Sequence, residues 1–239
     1  MTPLDWLALA VFAVCWLAYE PLLRGLSRRT GAITRDMEVV RLAWMRAMTR
    51  REVKLLDSQL LGHAINSASF FASANLILIA AVAGALFGGA AMIPEVSNLG
   101  LAPSTAAVDA KLALVTLCLA RGLLEFIWSI RQMNYCLALI GAAPEEPGPD
   151  ADAYAQAAAE VLNPSLTAFS RGVRGYYFAL AAAAWLYGPA AFAAFTLGAT
   201  ALLVWRQSRS PAALGVRKVR DLVSAPRPSR GRKNSRRKE

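Results

Sequence analysis

Residues 185–192, WLYGPAAF, interrupt an apolar run that extends from Gly175 to Trp205. The run is too long for one ordinary crossing, since a bilayer core takes roughly 20 helical residues. Gly188 suits the end of one helix, because glycine tolerates the left-handed backbone found there, and Pro189 suits the first turn of the next. The break therefore predicts a helical hairpin, with short arms over about 164–187 and about 190–206. Its first arm begins amphipathically at Arg171 and Arg174. A re-entrant pair and a single kinked helix also accommodate the interruption.

Three further runs, Leu4–Leu23, Ile65–Gly89 and Leu112–Ile130, are long and apolar enough to cross a membrane. Hydrophobic residues make up 56% of the chain and charged residues only 18%, a balance foreign to an ordinary soluble domain. The first run has neither a basic residue before it nor a small-x-small cleavage site, so it is expected to stay as an anchor. Loop charges set the orientation. Arg24 to Lys54 is rich in Arg and Lys and belongs on the cytoplasmic side, whereas the Met92 to Asp109 loop has Glu95 and Asp109 and no basic residue. With a hairpin at Gly188 the basic C-terminus also returns to the cytoplasm, and the N-terminus lies outside. The fold expected is all-α: a polytopic helical membrane protein with four to five transmembrane segments and a cytoplasmic amphipathic helix. Residues 1–209 form its membrane domain, and residues 210–239, rich in Pro, Ser, Arg and Lys, form a disordered basic tail.

The cytoplasmic segment between the first two runs has Met37, Val40, Trp44, Met48 and Leu55 at helical spacing, opposite a basic face. Arg41, Arg46, Arg50 and Lys54 on that face, with Arg232, Lys233, Arg236 and Arg237 in the tail, are candidate contacts to anionic lipids of the inner leaflet. An alternative for the same segment is a cytoplasmic extension of the second membrane helix. The tail has no aromatic residue to stack on bases, which argues against nucleic acid as a partner. Residues 141–165 hold a proline-rich turn and then a short helix, capped at Asp150 or Asp152 and stopped at Asn163-Pro164.

Two charges stand inside the third run. Arg121 and Glu125, four residues apart on one helix face, are expected to pair within the membrane. The second run carries His63, Asn66, Ser67, Ser69, Ser73 and Asn75 in its first turns, groups that must find partners in a bundle. Ala80, Gly84 and Gly88 follow at four-residue steps, and together with Ser69 and Ser73 they offer a face for close helix packing. The single histidine, without a nearby cluster of Cys, Asp or Glu, makes no metal site. With no phosphate loop, HExxH, GxSxG or CxxC, no cofactor is expected and an enzyme of familiar type is disfavoured.

The segments RLAWMRAMTRREVKLLDSQLLGHAINSASFFASANLIL (41–78), FIWSIRQMNYCLALIGAAP (126–144) and NPSLTAFSRGVRGYYFALAAAAWLYGP (163–189) resemble three blocks of an uncharacterised integral membrane family, the domain of unknown function 599. The resemblance covers roughly Leu4 to Arg209. Its pattern includes Arg41, Trp44, Met45, Met48, Arg51, Asp57, Asn66, Phe70, Phe71, Ala72, Ser73, Trp128, Arg131, Asn134 and Tyr135. It implies a membrane protein of the bacterial inner membrane and brings no mechanism with it. In that pattern Lys is common at the position of Glu125 and a small residue at that of Arg121, so this pair reads as a compensated charge swap. The resemblance moves the functional emphasis to Arg131, Asn134 and Tyr135. With Arg51, Asp57, His63 and Asn66 these make a candidate polar cluster at the inner boundary, although Arg131 and Tyr135 also suit ordinary interfacial anchors.

The leading functional expectation is a membrane interaction, scaffold or regulatory protein that self-associates through its small-residue face, with another membrane protein as a further partner. A small transporter or channel using the polar cluster is the second, and an intramembrane enzyme acting on lipid the third.

Overall fold

The computed structural model describes residues 1–30, 33–87 and 105–225, and among them every regular element is helical. The chain begins with α1 (Pro3–Thr30). Thr2 and Asp5 close its first turn reciprocally: the Thr2 N–H donates to Asp5 Oδ2 at 2.7 Å and the Asp5 N–H to Thr2 Oγ1 at 3.3 Å. Then follow α2 (Ile33–Thr49), α3 (Leu55–Phe87) and α4 (Thr105–Ala142). At 38 residues α4 is about 57 Å long, nearly twice a bilayer core, so it carries the fold from the membrane into a base beyond it.

The next helix, α5 (Ala151–Ala183), corrects the expectation of a stop at Asn163-Pro164: it runs straight through Pro164. Proline withholds one N–H from the helix ladder, but neighbouring helices hold the backbone there. The Ser129 hydroxyl donates to the Ser165 carbonyl at 2.7 Å, and Ala155, Ala158, Leu162 and Ala168 are fully buried. A 3-10 turn (Ala184–Tyr187) leads to Gly188, whose φ of 120° is the one positive φ among the described residues, and Pro189 opens α6 (Pro189–Ser208). The chain reverses at this point. Arg206 donates to the Tyr177 hydroxyl at 2.7 Å across the hairpin, and the Trp185 and Phe192 rings stack at 4.7 Å. The single kinked helix is thereby excluded.

The tail departs from expectation as well. Pro211–Ser224 form α7, started by Ser210, whose Oγ accepts from the Ala213 N–H at 3.1 Å. Its arginines grip α2: Arg220 Nη1 lies 2.5 Å and Arg217 Nε 3.7 Å from the buried Asp36 carboxylate. Amphipathic spacing outweighed the polar composition of residues 211–224. Arg232, Lys233, Arg236 and Arg237 lie outside the described residues, as does Gly88.

Nor does α2 continue α3. It docks on α5 and α7 with Met45 and Met48 fully buried. Its basic face meets protein: Arg46 and Arg50 reach Asp152 at 3.9 and 3.3 Å, and Lys54 donates to the Pro144 carbonyl at 2.8 Å. Arg41 points to Asn163 at 3.4 Å, and burial pulls its guanidinium pKa down, with Glu38 opposing. The acidic start of α5 supplies a counter-surface for Arg46 and Arg50 within the chain.

Two cores result. One, at membrane level, gathers Phe12, Tyr19, Phe178, Trp185 and Phe192. The other, in the base, gathers Met45, Met48, Leu61, Met133, Ile140 and Leu162 from α2 to α5.

Candidate functional site

A close contact between α4 and α5 is made at three glycines that carried no signal in the sequence reading. A Cβ on Gly172 would lie 2.6 Å from Phe126 Cε1, and one on Gly175 would lie 3.2 Å from the Gly122 Cα. By this approach α5 comes against α4 near the middle of the membrane segment, and the residues beside the glycines meet. Glu125, one turn from Gly122, accepts from Arg171 Nε at 2.9 Å. This corrects the expected Arg121–Glu125 pair: the spacing along one helix allowed it, but the guanidinium next to Gly172 reaches the carboxylate from a second helix.

Arg121 turns instead to α1. Its guanidinium lies over the Trp16 ring, 5.3 Å from the centroid. A turn away, Arg174 donates to Glu20 at 3.0 Å and sits over the Tyr19 ring at 4.9 Å. These groups, with Cys118, Gly122, Gly175 and Phe178, line one groove between α1, α4 and α5. Glu20 stands four residues, about 6 Å, before Arg24, where the basic flank of α1 begins, and Arg121 stands ten residues, about 15 Å, before Arg131 on α4. The groove thus spans the half of the membrane next to the base.

Charge in this setting is costly. A guanidinium deep in a bilayer costs about 2.5–3.5 kcal/mol on insertion scales. A cation–π contact returns about 0.5–2 kcal/mol, so Trp16 alone leaves Arg121 undercompensated. Arg171 and Arg174 each have a carboxylate; Arg121 has none among the described residues.

The opposite end of the membrane segment is closed. Asp5 Oδ1 accepts from Trp185 Nε1 at 2.8 Å, and Lys111 lies 5.8 Å from the centre of the same ring. Deeper in the bundle, Asn75 of α3 donates to the Leu119 carbonyl at 2.8 Å.

At the base, the residues expected to form one polar cluster divide into separate groups. Asp57, with no exposed surface, accepts from Trp44 Nε1 at 2.7 Å and pairs with Arg51. Arg131 donates to the Tyr135 hydroxyl at 2.5 Å on the outer side of α4, and Asn134 bonds the Ile130 carbonyl of its own helix at 3.0 Å. No hydrogen bond or ion pair joins the two groups among the described residues. His63 and Asn66 face outward from α3, while Ser67 bonds the His63 carbonyl at 3.0 Å. Ser73, Ala80 and Gly84 are exposed as well, with open space beside Gly84, so the small-residue face packs on nothing among the described residues; Ser69 is half-buried. Near the α4–α5 turn, Tyr154 donates to the Leu139 carbonyl at 2.6 Å, and burial raises its phenol pKa. Among the described residues no three His, Cys, Asp or Glu gather as metal ligands.

Of the groove, only Arg121 and Glu125 stood out in the sequence. Arg171 and Arg174 were visible as the start of a helix arm, and their three-residue spacing was the available sign that both face one way. Glu20, as the acidic residue within the first apolar run beyond its opening turn, was the other.

Four segments, within Pro3–Pro21, Leu55–Phe87, Ala106–Ala142 and Pro189–Ser224, are long and apolar enough to cross a membrane, and α5 packs on the third and the fourth. The class is therefore an all-α, polytopic membrane protein. Within it, the chain belongs to the family described as "Protein of unknown function, DUF599", whose model matches residues 7–212 and so takes in the whole groove. No curated protein and no solved structure matches it.

Proposed function

We propose that this protein is a self-associating interaction or scaffold protein, or a regulatory subunit, of the bacterial inner membrane. The observation that carries the reading is the outward face of α3. Gln59, His63, Asn66, Phe70, Ser73, Ile77, Ala80 and Gly84 are all exposed and recur at alternating steps of four and three residues. Such a seam faces a single partner helix, its small residues letting backbones approach and its polar ones seeking bonds that lipid does not offer. His63 and Asn66 make no side-chain hydrogen bond among the described residues, which fits a surface completed by a second copy. The reading as a transporter or channel draws less support, because the polar side of α3 faces outward and the boundary residues form two separate groups. The lipid-acting enzyme draws none from Ser67, whose hydroxyl is engaged with the backbone.

Orientation follows from charge. The hairpin brings α7 to α2, so the basic segments share one end of the molecule, and the positive-inside rule places that end in the cytoplasm. Oxidative cross-linking in native membranes tests the association. Ser73→Cys and Gly84→Cys are expected to give covalent homodimers, and Leu78→Cys, on another face, is not. Monomer at both seam positions would refute the reading. A reporter at the C-terminus active only outside the cytoplasm would refute the orientation.

A further inference from the structure

Arg121 occupies an unusual place even for a membrane arginine. Leu117 and Leu124, one turn to either side on the same stripe of α4, are 56% and 67% exposed, and Arg121 between them is exposed too. On α1, Leu17 beside Trp16 is 75% exposed. In a bilayer these leucines meet acyl chains, so the guanidinium opens onto lipid and not onto a packed helix. Three guanidiniums, Arg121, Arg171 and Arg174, line the groove with one carboxylate, Glu20; Glu125 pairs with Arg171 from beside it, and the cation without a carboxylate among the described residues is the one at the opening.

We propose that this groove binds a phosphate group, with Arg121 as the principal ligand and the remaining N–H donors of Arg171 and Arg174 behind it. A guanidinium presents a planar fork that matches two oxygens of a phosphate, and such charge-assisted pairs are the strong ones in a water-poor site. The groove is a shallow one, with a cavity of about 30 Å³ that opens to the surroundings, so a phosphate would sit at its mouth against Arg121 with its oxygens turned inward. Two sources share this chemistry. An anionic phospholipid can be drawn inward, because deep arginines thin the bilayer locally and admit headgroups and water. Free phosphate can enter past Glu20 from the side of the basic flank.

The full-length protein in nanodiscs distinguishes the sources. Native mass spectrometry from phosphatidylcholine discs containing phosphatidylglycerol is expected to show phosphatidylglycerol retained on the wild type. Arg121→Gln should lower that retention at least about fivefold, the loss of one charge-assisted contact. Arg121→Lys, which keeps the charge without the fork, should fall between them and guards against a folding defect in the first variant. If the source is free phosphate, inorganic phosphate added to pure phosphatidylcholine discs raises the melting temperature of the wild type and not of Arg121→Gln. Wild-type retention in Arg121→Gln together with no response to phosphate overturns the proposal. Loss of retention on neutralising Arg232, Lys233, Arg236 and Arg237, with Arg121→Gln unaffected, overturns it equally.

Discussion

Asp57 in the base and Arg121 in the membrane groove are both charged residues on long apolar helices, and their surroundings differ in kind. Asp57 has no exposed surface and is held by donors from Trp44 and Arg51, and the base around it is packed with Met and Leu. Arg121 is exposed, shares one aromatic ring, and belongs to a cluster in which cations outnumber carboxylates. A charge enclosed by its partners fixes the positions of helices, since removing any member strands the others. A charge left over at an opening has no such architectural role. The comparison separates a closed network that sets the fold from an open one with capacity to bind.

The sharpest way to break this contrast is Gly172→Ala. The added carbon meets the buried Phe126 ring at 2.6 Å, and a close-packed interface absorbs it only by moving α5 from α4. A loss of about 2–3 kcal/mol is expected, read as a drop of several degrees in the thermal midpoint. Asp57→Asn follows at about 2 kcal/mol; Arg51 is 40% exposed and can rehydrate, which moderates the cost of stranding it. In contrast to Gly172→Ala, this substitution should loosen α2 and leave phosphatidylglycerol retention unchanged, as limited proteolysis and native mass spectrometry would report.

Double-mutant cycles refine the groove itself. Arg171→Gln with Glu125→Gln should show a coupling of about 1 kcal/mol, whereas Arg121→Gln with Glu125→Gln should be additive to within about 0.5 kcal/mol. Strong coupling in the second cycle and none in the first would restore the pairing along one helix. The smallest effect is expected at Arg50→Gln. Its contact with Asp152 is more than half exposed on both sides, so the change in stability should stay within about 0.5 kcal/mol.

The apolar runs were legible because a bilayer demands length and composition, and both are written in order along the chain. The turn at Gly188-Pro189 was legible for a similar local reason, one residue tolerating positive φ and the next opening a helix. Pro164 misled because the loss of one helix hydrogen bond is modest beside the packing of α5 on α4. The 211–224 segment misled because low hydrophobicity hid an amphipathic stripe and the buried Asp36 that it serves. The contacts of Arg46 and Arg50 with Asp152 were not legible because nothing in their own segment shows the acidic start of α5.

By itself the sequence determined the class of the protein: its membrane segments, the reversal near the C-terminal end and the family to which it belongs. Each of these depends on hydrophobicity or on backbone preference within a few residues. Only the tertiary structure decided which charges pair. Glu125 could have met Arg121 or Arg171, and the choice turned on Gly122 of α4 touching Gly172 and Gly175 of α5, some fifty residues further along the chain. Where two helices approach that closely, a partner on the neighbouring helix takes the carboxylate, and the cation left behind defines the site.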